Sequence, residues 1–115
     1  LIIEQTEAMC VIDVNSGKNI AKSKKQADKE RAALGVNMEA AAQVINQIRL
    51  RNISGIIIID FINMQEEASV KELLSYMKGL AKKEHITTNV VDMTPLGLVE
   101  MTRKNNGKTL KELIR

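Results

Sequence analysis

Aromatic side chains are scarce. Phe61 and Tyr76 are the only two in 115 residues, and there is no tryptophan. Proteins that hold single-stranded nucleic acid without sequence preference stack successive bases on aromatic rings. This chain alone therefore cannot be a self-sufficient stacking platform. Its one cysteine, Cys10, excludes an internal disulfide. A lone thiol in an apolar run reads as a small core residue, and this cysteine usage fits a cytoplasmic protein. There is one histidine, His85. Zinc sites need several His or Cys ligands, so zinc held within this chain is not expected. His85 reads instead as a partner for the negative end of a helix. No Ser-His-Asp or Cys-His set can be assembled from these residues.

Long apolar runs are also missing. Ala8 to Ile12 is five residues and Ile56 to Ile59 four, far too short for a membrane-spanning helix. Glu4 and Glu7 break up the start of the chain, and no basic stretch precedes them, so nothing there resembles a secretory signal. The chain opens on Leu1 rather than Met, which leads us to expect a piece of a longer protein.

What remains is ordinary for a globular domain: 44% hydrophobic and 27% charged residues, with a net charge of +3. We expect a single domain over residues 1–115. The mild positive balance allows an anionic partner without requiring one. Residues 2–14 read as two strands, the second apolar on both faces and hence central. Asn15-Ser16-Gly17 is a turn signal. Residues 18–36 form the one long polar segment and read as a basic loop. Asn37 looks like a helix N-cap with Glu39 in the first turn. Met38, Ala41, Ile45 and Ile48 then recur at helical spacing. Strands follow at 55–61, 87–93 and 96–102, with a helix over about 66–84 and a short terminal helix at 109–114. The expected fold is α/β: a mixed sheet containing a parallel βαβ unit, flanked by two main helices, in the order ββαβαββ.

Two of the apolar runs end in an aspartate. VIDVNSG delivers Asp13 and Asn15, and GIIIIDFINM delivers Asp60. A buried strand presents its last side chain at the rim of the sheet. The strand–helix–strand connection between Asp13 and Asp60 predicts parallel strands, with both acids at the same rim. Adjacent strands lie about 4.8 Å apart, so one hard cation can bridge the pair. Mg²⁺ suits this, because it takes one or two carboxylates and fills its other positions with water and phosphate oxygens. Asn15 is placed to donate to a metal-bound carboxylate and fix its orientation. Aspartates and asparagines also end strands simply as turn formers.

Lys22, Lys24 and Lys25 in the polar segment, with Arg103 and Lys104 near the end, are candidate contacts to a phosphate backbone. They are equally ordinary surface charge. Gly17-Lys18 after a strand is not a phosphate loop: the upstream glycine and the Ser/Thr after the lysine are missing.

At these residues the chain resembles the ribonuclease E/G family. EQTEAMCVIDVNSG (4–17) resembles its block around the first metal aspartate. NMEAAAQVINQIRLRNISGIIIIDFINM (37–64) resembles the following helix and the strand bearing the second. LGLVEMTRK (96–104) resembles a third block near the end of the catalytic core. The resemblance implies the deoxyribonuclease-I-like catalytic subdomain of that family, with Asp13 and Asp60 as Mg²⁺ ligands (Mn²⁺ substituting) and Asn15 steadying the site. It further implies hydrolysis of single-stranded RNA to 5′-phosphate products, in RNA processing and mRNA decay. The full-length protein would be a homo-oligomer with zinc at a subunit link. The departure is Asn63, where the family often carries an aspartate. A rival expectation is a non-catalytic RNA-binding or assembly module that uses the basic segment and keeps the aspartates as structural caps. Another is a phosphatase on a similar frame.

Overall fold

Branched apolar residues put two strands in the centre of the sheet. The computed structural model describes residues 1–14 and 25–105. Its elements are β1 (Ile2–Gln5), β2 (Met9–Asp13), α1 (Gln26–Arg51), β3 (Gly55–Asp60), α2 (Glu67–Lys82), β4 (Thr88–Met93) and β5 (Leu98–Arg103). This is the ββαβαββ order that the sequence implies. The strands form a five-stranded sheet ordered β1-β2-β3-β5-β4. β2 and β3 run parallel, with α1 as their crossover, and the other neighbouring pairs are antiparallel.

Side chains alternate across a strand. One face of the sheet carries Cys10, Ile12, Ile57, Ile59, Val99 and Met101, all buried. Against it α1 packs Ala33, Ala41, Val44 and Ile48, and α2 packs Leu73, Met77 and Ala81, in one core. These recur three or four residues apart, as one helix face requires. Among the described residues the opposite sheet face has no such cover: Met9 and Val11 are each 38% exposed and Ile56 43%.

The helix boundary corrects an expectation. α1 begins at Gln26, so 26–36 of the expected loop is helix, and 18–24 lies outside the described residues. Asn37 is not an N-cap; it lies mid-helix and fully buried. The reason is the inward stripe of Glu30, Ala33, Asn37, Ala40 and Ala41, which continues the helical period through charged sequence. α1 ends where Asn52 turns left-handed, at φ 51° and ψ 47°, a conformation that Asn tolerates. The terminal helix expected at 109–114 lies outside the described residues.

The connection from β3 to α2 is tied to α1. Asn37 Nδ2 donates to the Ile62 carbonyl at 2.8 Å, and the Ile62 N–H donates to Asn37 Oδ1 at 2.9 Å. The N–H groups of Gln65 and Glu66 donate to Glu30 Oε1 and Oε2, each at 3.0 Å. Burial by itself raises the Glu30 carboxyl. The N–H groups of Gln65 and Glu66 and the Ser69 side chain outweigh it and hold the group below its ordinary value.

Two outcomes follow. Ile57→Ala removes a fully buried side chain and should cost about 2–5 kcal/mol in denaturant unfolding. Because the folded Glu30 carboxyl sits below its unfolded value, its stabilisation is present above the ordinary glutamate range and is lost as pH falls through the folded value. Thermal melts of Glu30→Gln should therefore fall less steeply in acid than those of the unsubstituted chain.

Candidate metal and active site

Asp13 and Asp60 close the two parallel strands. β2 and β3 are direct neighbours, and Asp13 is the register partner of Asp60. No strand lies between them. The Val14 N–H donates to the Asp60 carbonyl at 2.9 Å, so the ladder continues just past the pair and fixes its register. Register partners in a parallel pair point to the same face, and the strand spacing is about 4.8 Å. By alternation that face is the open one, shared with Met9, Val11 and Ile56.

Both acids are half-buried. Asp13 Oδ1 is buried and, among the described residues, accepts no hydrogen bond. An unpaired buried polar oxygen is costly, and a carboxylate oxygen more so. A divalent cation would meet that need. Among the described residues no cluster of three or more His, Cys, Asp or Glu forms a metal cage. Two carboxylates alone favour a hard, octahedral ion that keeps water and takes substrate oxygens, rather than zinc. His85 is exposed beyond the end of α2.

The charged strand residues of the open face are acidic. Register puts Glu4, Glu100 and Asp92 on the same side as the pair, with Asp92 directly opposite Glu100. The strand residues of that face include no lysine or arginine. This potential attracts a cation and repels a bare polyanion.

The remaining sequence-predicted residues fall into three groups. Asn15, Lys22 and Lys24 lie outside the described residues. Lys25 is exposed at the N-cap position of α1. Arg103 and Lys104 are not brought to the pair. Arg103 is the register partner of Gly55, five residues back along β3 from Asp60, or ~17 Å at strand spacing. It is buried on the helix-facing side, donating to Asn52 Oδ1 at 3.1 Å and to the Ile53 carbonyl at 2.8 Å. There it ties β5 to the end of α1. Lys104 is exposed at that same far end, its N–H donating to the Thr87 carbonyl at 2.9 Å. Asn63 is exposed on the connection that follows Asp60.

Sequence reasoning missed Glu30 and Asn37. The available signal was their seven-residue spacing, which puts both on one face of a helix.

A mixed five-stranded sheet with two helices carries an acid pair at the tips of its parallel strands, an α/β frame with a candidate cation site. The Ribonuclease E/G family model matches residues 1–106. Ribonuclease E of a Synechocystis species is 42% identical over 98% of this chain and 16% of its own length. Ribonuclease E of a Nostoc species is 39% identical over 98% of this chain and 16% of its own length. Ribonuclease G of Haemophilus influenzae is 40% identical over 99% of this chain and 22% of its own length. The chain belongs to the ribonuclease E/G family, and spans about a sixth to a fifth of these relatives. In crystals soaked with Mn²⁺, anomalous density should join the Asp13 and Asp60 carboxylates. Density elsewhere, or none at saturating metal, would contradict the site.

Proposed function

We propose that this chain is the metal-dependent catalytic part of an endoribonuclease that hydrolyses single-stranded RNA and leaves 5′-phosphate ends, in RNA processing and mRNA decay. The observation that supports this most is the register pairing of Asp13 with Asp60, with Asp13 Oδ1 buried and unpartnered, in a member of this family. Asp13 and Asp60 would hold Mg²⁺, with Mn²⁺ as a substitute. When bound, such an ion offsets charge building on the scissile phosphate and makes a water a better nucleophile for in-line attack.

The rest falls to the chain's own residues. Asp13 and Asp60 would supply the negative oxygens, set side by side by the register of β2 and β3. Asn15 would donate to one carboxylate and hold its orientation, as the family resemblance implies. The strand residues of the open face offer no cation to an RNA backbone, so the gripping cations would come from elsewhere. Lys22, Lys24 and Lys25 are our candidates within this chain. The remainder of a longer protein would supply further contacts, since the chain spans 16% of one relative and 22% of another. On this reading the isolated chain binds metal weakly and cleaves little. The longer protein works in the cytoplasm as a homo-oligomer with zinc at a subunit link.

In that longer protein, Asp13→Asn or Asp60→Asn should lower RNA cleavage by about 10²-fold or more while RNA binding persists. Mg²⁺-dependent cleavage at the unsubstituted rate by either variant would refute the assignment.

A further inference from the structure

We propose that Glu30 and Asn37 are positioning residues for the Asp60 carboxylate: from one face of α1 they lock residues 61–66, and the rim position of Asp60 depends on that lock. The proposal rests on reading Asp13 and Asp60 as a metal pair.

The six-residue connection leaves β3 directly after Asp60 and enters α2 at Glu67. Four of its backbone polar groups end on just two side chains. Both the N–H and the carbonyl of Ile62 meet the Asn37 amide, and the N–H groups of Gln65 and Glu66 meet the two oxygens of Glu30. Seven residues separate Glu30 from Asn37, two helical turns, so both project from the same face of α1. Between and beyond them that face is apolar: Ala33, Ala40, Ala41 and Val44.

Such a face normally stays apolar, because burying a carboxylate or an amide is costly unless its bonds are made. Glu30 is only 4% exposed and Asn37 not at all. Their bonds are made, and the described ones go to the link that follows Asp60 and to Ser69 at the start of α2. α2 does not cap itself either. Glu66 stands at its N-cap with no side-chain cap bond. The Glu66 N–H instead donates to Glu30 on α1, 36 residues earlier in the chain. α1 therefore sets where the link lies.

Asp60 is then held from both sides. Upstream it belongs to the β2–β3 ladder, which Val14 extends through the Asp60 carbonyl. Downstream, Ile62 is pinned by Asn37 only two residues on. A strand end followed by an unpinned chain frays, and metal or catalytic groups need placement within about 0.5 Å. Asn63, exposed between the two pins, is carried to the same rim.

The test is a Mn²⁺ titration of the full 115-residue chain, followed by paramagnetic broadening of backbone amides and accompanied by thermal melts. In the unsubstituted chain, broadening should centre on the amides around Asp13 and Asp60. Glu30→Gln keeps the side-chain volume but loses the charge and one acceptor. It should stay folded while its Mn²⁺ midpoint rises about threefold to tenfold, a little under the usual range for groups that orient metal ligands. Asn37→Asp keeps the acceptor for the Ile62 N–H and loses the donor to its carbonyl, and should shift the midpoint the same way. Glu30→Asp restores the charge and should recover part of the affinity. Should these variants unfold, Ser69→Ala removes one partner of Glu30 at little change in volume, and its midpoint should rise as well. Lower melting temperatures with unchanged Mn²⁺ midpoints would overturn the proposal and leave the clamp purely structural. No localised broadening in the unsubstituted chain would overturn the metal pair itself, and this inference with it.

Discussion

The parallel pairing of β2 with β3 is the constraint on which the rest depends. Each strand is an ordinary run of core-facing aliphatics ending in an acid. Pairing them in register puts Asp13 beside Asp60 at the tip of the sheet. A one-residue slip would send one carboxylate to the helix-covered face and dissolve the site. The core enforces the register, because Cys10, Ile12, Ile57 and Ile59 must all face α1 and α2 together. The hydrophobic effect thus decides the position of two hydrophilic groups. Among the described residues, Asp13 Oδ1 and Arg103 Nε are the buried side-chain atoms left without a partner once that packing is complete.

α1 has a second task beyond covering the sheet. Its apolar stripe fixes β2 and β3, and its two buried polar residues fix the chain that leaves Asp60. At the opposite end of the sheet Arg103 does similar work, joining β5 to the turn after α1 through Asn52 and Ile53. One rim of the sheet carries the acid pair, and the far end carries a buried cation committed to structure. Between them the open face carries acidic and apolar strand residues, among those described.

Much of this was legible in the residues. Runs rich in β-branched side chains announced the central strands, the intervening helical period made them parallel, and their last residues located the acid pair. Charge misled where burial was the deciding fact. QADKERAALGV (26–36) is dense in charge and reads as loop, yet one face of it is inward and helical. Asn37 carries the residue type of an N-cap, and its partner Ile62 lies 25 residues away, beyond any local pattern. Arg103 reads as a surface phosphate contact until the alternation Val99, Met101, Arg103 is followed, which points it into the core.

The central claim is that one divalent ion is shared by two carboxylates, and Mn²⁺ calorimetry on a double-substitution cycle addresses it directly. The account predicts one ion per chain, with Asp13→Asn and Asp60→Asn each weakening binding nearly as much as both together. Independent, additive losses, a second ion of similar affinity, or unchanged binding in either single variant would contradict it.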